Sequence, residues 1–220
     1  MQAMNEKDRQ LREAVARQLE WDPQVTSNDI SVAATDHVIT LTGFVHNYNE
    51  KYAAENAAKS VYGVKAVAND IEVKLKAART DPEIARDVAH AIKLDVTVPD
   101  DGIKAAVQEG FVTLEGAVEW NFQRISVETC ARNVPGVRGV MNRIVVKPKA
   151  VSSVDVLHKI EDALRRSAEV DARRITVSTT NGTVHLHGSV RSWAERDEAE
   201  KAAWAAPGVS EVIDYISVVP

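Results

Sequence analysis

The run Val38-Ile39-Thr40-Leu41-Thr42-Gly43-Phe44-Val45 decides the fold, because the chain repeats it. It returns as Phe111-Val112-Thr113-Leu114-Glu115-Gly116-Ala117-Val118 and as Thr183-Val184-His185-Leu186-His187-Gly188-Ser189-Val190. Gly43, Gly116 and Gly188 lie 73 and 72 residues apart, and each is followed 20 residues later by a second glycine, Gly63, Gly136 or Gly208. A period this long describes repeated small domains rather than a solenoid of helical hairpins. Within the run, Ile39, Leu41, Gly43 and Val45 alternate with Thr40 and Thr42, the pattern of a half-buried strand. The anchor glycine therefore falls in the core-facing set, where the missing side chain is expected to let a helix backbone approach.

Working outward, each copy shows the same series of elements. Leu11, Val15 and Leu19 share columns with Ile84, Val88 and Ile92 and with Val156, Ile160 and Leu164. That spacing marks one face of an amphipathic helix. In the second copy Asp81 is expected to cap this helix, with Pro82 at the first helical position. Short strands beginning at Ile30, Ile103 and Ile175 lead to turns at Asp36-His37, Glu109-Gly110 and Asn181-Gly182. Asn-Gly between two β-rich runs is a strong hairpin signal, and the other two pairs share its columns.

A second helix follows, with small inward columns at Ala54, Ala57 and Ala58, at Val127, Cys130 and Ala131, and at Ala199, Ala202 and Ala203. Asn47 with Glu50 and Ser192 with Glu195 read as capping boxes. Trp120 occupies the cap column of the second copy, so Asn121 is expected to cap one residue later. The glycines of Tyr62-Gly63-Val64, Pro135-Gly136-Val137 and Pro207-Gly208-Val209 suit the left-handed residue after a helix. Closing strands run over Val67–Val73, Val140–Val146 and Val212–Val218. The expected fold is α+β: three tandem α-β-β-α-β domains at 5–75, 80–148 and 152–219. Each is a three-stranded mixed sheet packed by two helices. The short connections 74–80 and 147–151 favour a fixed arrangement over freely moving beads.

The net charge of −5 is spread evenly: 9 basic against 11 acidic side chains in 1–76, 10 against 10 in 77–151, and 8 against 11 in 152–220. No copy carries the basic excess of a nucleic-acid binder, and no nucleic-acid partner is expected. The polar N-terminus has no apolar leader, so the chain as written reads as cytoplasmic, and as periplasmic if a leader has been removed. The single cysteine, Cys130, excludes an intrachain disulfide and reads as a structural thiol.

The V-x-L-x-G-x-V strand, the alanine-rich helix, the V-P-G-V turn and the closing V-x-N-x-I-x-V strand resemble the BON domain, a small bacterial module of osmotically inducible and nodulation proteins. The resemblance covers nearly the whole chain three times. It implies the α-β-β-α-β fold, no enzymatic activity, and binding of phospholipid or other hydrophobic ligands in envelope or osmotic stress. The alternative is a cytoplasmic scaffold or self-associating protein–protein interaction module, with a protein partner or a second copy in place of a membrane surface.

Candidate residues are those in which the copies differ. Trp204 occupies a column holding Lys59 and Arg132, and Trp193 shares one with Tyr48 and Asn121. Trp120 and Phe122 flank the same helix start, and Trp21 ends the first helix of copy one. Two readings stand for Tyr48, Trp120, Phe122, Trp193 and Trp204: contacts between copies within the monomer, or an apolar patch for lipid or protein. His185 and His187 share the outer face of a strand, where imidazoles can chelate; their columns elsewhere are Thr and Glu, so an ordinary solvated face is the expectation and no metal is assigned. Gly136-Val137-Arg138-Gly139 has the form of a phosphate-clamping G-x-x-G loop but joins a helix to a strand rather than two helices. Asp100-Asp101 and Asp197-Glu198 lack a companion nucleophile, so neither catalysis nor a cofactor is expected. Arg165-Arg166 and Arg173-Arg174 could meet lipid phosphate, but a solvated surface paired with Glu169 and Asp171 is the plainer reading.

Overall fold

The computed structural model describes residues 6–75, 79–99, 102–149, 153–166 and 174–219. The first repeat consists of α1 (Glu6–Trp21), β1 (Ile30–Thr35), β2 (Val38–Val45), α2 (Tyr48–Ser60) and β3 (Ala66–Val73). The second has α3 (Asp81–Leu94), β4 (Lys104–Gln108), β5 (Phe111–Val118), α4 (Asn121–Arg132) and β6 (Gly139–Val146). The third has α5 (Ser153–Arg166), β7 (Ile175–Thr180), β8 (Thr183–Val190), α6 (Trp193–Trp204) and β9 (Glu211–Val218). Three separate sheets result, and the glycine-bearing strand is central in each: β1-β2-β3, β4-β5-β6 and β7-β8-β9. In the first two the central strand pairs antiparallel with its predecessor and parallel with its successor, which makes them mixed.

The hairpins form where the turn residues require. Asp36 and His37 take φ of 50 and 67°, Glu109 and Gly110 take 53 and 79°, and Asn181 and Gly182 take 50 and 83°. Two successive left-handed residues match the right-handed twist of the strands they join. The register then places Val38 opposite Thr35 and Gly43 opposite Ile30. Ile39, Leu41 and Val45 point to one face, where Leu11, Val15 and Leu19 of α1 and Ala54, Ala57 and Ala58 of α2 close over them in a single core. Both helices therefore cover the same face, and Thr40 and Thr42 lie on the other.

The anchor glycine has a different neighbour from the one expected. A Cβ on Gly43 would stand 2.0 Å from the carbonyl oxygen of Asp29, on Gly116 2.2 Å from that of Gly102, and on Gly188 2.0 Å from that of Arg174. The backbone just ahead of the first strand makes the close approach, not a helix. Gly43 also has φ of 120°, a conformation that side chains rarely adopt.

Two helix starts also differ from expectation. Thr80, not Asp81, precedes α3, and the Glu83 carboxylate accepts from both its N–H and its hydroxyl at 2.8 Å. Asp81 accepts instead from the turn amides of Glu109 at 2.8 Å and Gly110 at 2.9 Å. Its counterpart Asp8, 6% exposed, takes the amides of Asp36 at 3.2 Å and His37 at 3.3 Å. A left-handed turn leaves those two N–H groups without strand partners, and a carboxylate from the first helix satisfies them. At α4 Trp120 keeps the cap position, and Asn121 is already helical and buried. The indole has no acceptor, so Gln123 takes the amides of Glu119 at 3.1 Å and Trp120 at 3.0 Å. The amide half of the expected capping boxes forms at Asn47–Glu50 and Ser192–Glu195, but the reciprocal bonds reach one residue further back, to His46 and Arg191.

Gly43→Ala is expected to lower unfolding stability by about 2–4 kcal/mol, since both the conformation and the space resist a Cβ. Asp8→Ala should cost about 1.5–3 kcal/mol by leaving two turn amides without their charged acceptor. Urea denaturation midpoints at constant slope measure both.

Candidate functional site

The chain divides into two compact units, 1–76 with 189–196 and 218–220, and 77–188 with 197–217. In the first unit Trp193, the opening residue of α6, has Arg196 4.9 Å and Lys59 5.6 Å from its ring centroid. In the second, the Arg124 guanidinium lies 4.7 Å over Trp204, whose indole N–H donates to Glu200 at 3.2 Å. Burial draws the Arg124 guanidinium below its ordinary range, against the opposing pull of Glu200 and Glu128. Cation–π contacts of this kind contribute about 0.5–2 kcal/mol. Trp193 and Trp204 are thus engaged across repeats by cationic side chains. Tyr48 and Trp120 are half-buried at the starts of α2 and α4, and Phe122 is exposed. Among the described residues of the second unit no ring pair joins Trp120, Phe122 and Trp204.

A different apolar surface emerges at the end of the first helix. In the second repeat Leu94 is 67% exposed, Val96 98%, Phe122 55% and Ile125 52%. Polar bonds bring the two stretches together. The Asp95 carboxylate accepts from the Thr97 amide at 2.9 Å, the Thr97 hydroxyl at 2.6 Å, the Ser126 hydroxyl, and the Cys130 thiol at 3.5 Å. Gln123 adds a bond from its side-chain amide to the Thr97 carbonyl at 3.0 Å. The chain after α3 is clasped to the first turns of α4, and the apolar side chains on either side of the clasp face solvent.

The same columns in repeat one hold Trp21, 83% exposed, and Tyr52, 37% exposed. There the Thr26 hydroxyl donates to Glu50 at 3.2 Å, fastening the corresponding loop to α2. In repeat three the columns hold Arg166, Ala194 and Asp197. Sequence reasoning noted Trp21 and Phe122 singly and missed Leu94, Val96, Ile125 and Tyr52. Reading the helix-end columns across all three copies would have found them.

The clasp fixes two ionisations. Hydrogen bonds from Ser126 and Thr97 hold Asp95 down at about 2. Burial first, then the Asp95 hydrogen bond and charge, pushes the Cys130 thiol up to about 11. Cys130 is half-buried and hydrogen-bonded rather than sealed in the core, and it has no thiolate character at neutral pH.

The remaining candidates stay apart. Gly136 has φ of 99° after α4, and the Arg138 amide donates to the Gly110 carbonyl at 2.9 Å, so this loop supports the neighbouring hairpin. Arg165 meets Asp162 at 3.8 Å. Asp100, Asp101, Glu169, Asp171 and Arg173 lie outside the described residues. Among the described residues no three His, Cys, Asp or Glu side chains gather to hold a metal ion. None of the described helices is long and apolar enough to cross a membrane.

The BON domain family model matches three segments, 7–74, 80–148 and 154–220. The chain belongs to the BON family. Three BON copies therefore account for the three sheets and for the columns that stay constant among them. The chain is similar to osmotically-inducible protein Y of Escherichia coli (strain K12), with 30% identity over 129 residues, 56% of this chain and 64% of that protein. The match thus spans a little under two thirds of that relative. Two solved structures of CdsD, a structural protein of the type III secretion system of Chlamydia trachomatis, align over 96% of this chain. They do so at 15 and 14% identity and a TM-score of 0.28, and cover 93 and 98% of their own chains.

Two outcomes are expected from the clasp. At pH 8 the native thiol should alkylate with iodoacetamide at least a hundredfold more slowly than in the urea-unfolded chain, because only a small fraction is thiolate. The folded Asp95 lies below its ordinary 3.8, so its contribution to stability is present above that value and is lost as pH falls towards about 2. Asp95→Asn should therefore destabilise the protein at pH 7 and change it little at pH 2, as read by thermal melts at both values.

Proposed function

We propose that this BON protein is a non-catalytic, osmotic-stress-related protein that binds phospholipid surfaces through the exposed helix-end side chains of its first two repeats. The observation that carries the reading is the exposure of Leu94, Val96, Phe122 and Ile125 on segments that the Asp95 hydrogen bonds tie together. Trp21 and Tyr52 repeat the arrangement in the first copy. Apolar groups presented by fixed backbone lose little conformational freedom on insertion, and each buried Å² contributes about 25 cal/mol. Trp and Tyr favour the headgroup level of a bilayer. The link to osmotic stress is supported by the name of the Escherichia coli relative. The non-catalytic reading is supported by the scattered placement of the polar candidates, among which no base, nucleophile and oxyanion donor converge in the described residues.

The charge balance sets the mode of binding. The second repeat has 10 basic and 10 acidic side chains, so association rests on apolar insertion rather than on attraction to anionic headgroups. Co-sedimentation with phosphatidylcholine vesicles, with and without an anionic lipid, should give similar bound fractions that change little with salt. Val96→Asp with Ile125→Asp should reduce binding at least tenfold while leaving the circular dichroism spectrum unchanged. Absence of binding to both vesicle types would sink the lipid reading.

A second reading, a self-associating interaction module, is favoured by the same exposed surface together with the even charge balance of the second repeat. Sedimentation velocity at rising concentration separates the two. Self-association abolished by the Val96→Asp, Ile125→Asp pair would replace lipid with a second copy, and a monomer at every concentration would exclude it.

A further inference from the structure

The outer face of the third sheet carries a cluster that neither the fold nor the helix-end surface uses. His185 and His187 on β8 and Tyr215 on β9 present three nearly parallel rings. The His187 and Tyr215 centroids are 4.7 Å apart at 10°, His185 and Tyr215 6.3 Å at 4°, and the two imidazoles 6.5 Å at 14°. The face is open, since the helices cover the opposite side, where Val184 and Leu186 are fully buried. The same columns hold Thr40, Thr42 and Asp70 in the first copy and Thr113, Glu115 and Arg143 in the second. The fold requires nothing at these positions, so the paired imidazoles are particular to the third copy.

We propose that His185 and His187 form a two-imidazole chelate for a borderline divalent transition ion, with Cu²⁺ held most tightly. Neither ring takes part in a hydrogen bond among the described residues, so their nitrogens are available as ligands. Imidazole suits Cu, Ni and Zn, and affinity within that series peaks at Cu²⁺. Metal–nitrogen bonds of about 2.0–2.1 Å bring two ligating rings to within about 6 Å of each other, centre to centre. The observed 6.5 Å closes to that span by side-chain rotation on a surface that leaves room for it. Because β8 is the central strand, paired on both sides, the two Cα atoms are fixed and only the side chains move. No third His, Cys, Asp or Glu completes the shell among the described residues, so water fills the remaining positions. This is an exchangeable surface site and not a structural one, which forms a closed shell of four protein ligands.

The test is titration of Cu²⁺ into the full chain, followed by calorimetry and by electron paramagnetic resonance. The wild type should bind one equivalent with nitrogen hyperfine structure, and His185→Thr/His187→Thr should bind at least tenfold more weakly. Threonine occupies both columns in the first copy, so the fold tolerates that change. Either single substitution should cause most of the loss, as expected when two ligands share one ion. His90→Thr/His158→Thr should leave the affinity unchanged. Equal affinity in the wild type and the double Thr variant, or nitrogen ligation retained in that variant, overturns the proposal.

Discussion

Each repeat depends on one steric constraint: a backbone carbonyl lies against the α-carbon of the central strand's glycine. With the Asp29 oxygen 2.0 Å from where a Cβ would sit, no side chain fits at Gly43 without moving main chain. The contact sets where the first strand starts and pairs Ile30 with Gly43, and the two-residue turn pairs Thr35 with Val38 at the other end. Between these fixed points the alternation can send Ile39 and Leu41 in only one direction. The helices then close over that face, and Asp8 or Asp81 ties the first helix back to the turn. A local steric rule is thereby carried through register into the core.

Elements whose identity follows from period or turn chemistry were legible in the sequence. The 3.6-residue pattern of Leu11, Val15 and Leu19 and the Asn181-Gly182 turn specify their own conformations. Neighbours across space were not legible. Periodicity places Gly43 on a face without saying what approaches it. The same holds for Asp81, which looks like a cap because it precedes Pro82. Its partners are 28 and 29 residues away, and no local signal points to them. Trp193 and Trp204 were visible as departures from their columns, but Lys59 over Trp193 and Arg124 over Trp204 come from other repeats. The helix-end side chains escaped notice for a different reason. Leu94 and Val96 continue the apolar composition of a helix, and only the end of that helix at Leu94 leaves them facing solvent.

Three aligned copies let the chain serve as its own comparison. Columns that stay constant, such as the glycines and the small inward residues of the second helices, build the fold. Columns that vary separate the copies by surface chemistry. The helix-end columns are apolar at Trp21 and Tyr52 in repeat one and at Leu94 and Ile125 in repeat two, and charged in repeat three, at Arg166 where α5 ends and Asp197 on α6. The open sheet face carries imidazoles only in repeat three, where the others have threonine, glutamate, aspartate or arginine. One scaffold thus presents two unlike surfaces on different copies.

The Asp95 clasp bears on how the protein behaves as its surroundings concentrate. Its bonds run from hydroxyls, a thiol and an amide to a carboxylate at contact distance, rather than between charges separated by solvent. Mobile ions screen the latter within about 10 Å and leave the former almost untouched. The apolar groups flanking the clasp respond in the opposite way, because solutes excluded from protein surfaces strengthen the tendency of such groups to leave water. When water is withdrawn, the scaffold of this surface keeps its geometry while the tendency of its apolar side chains to be buried increases.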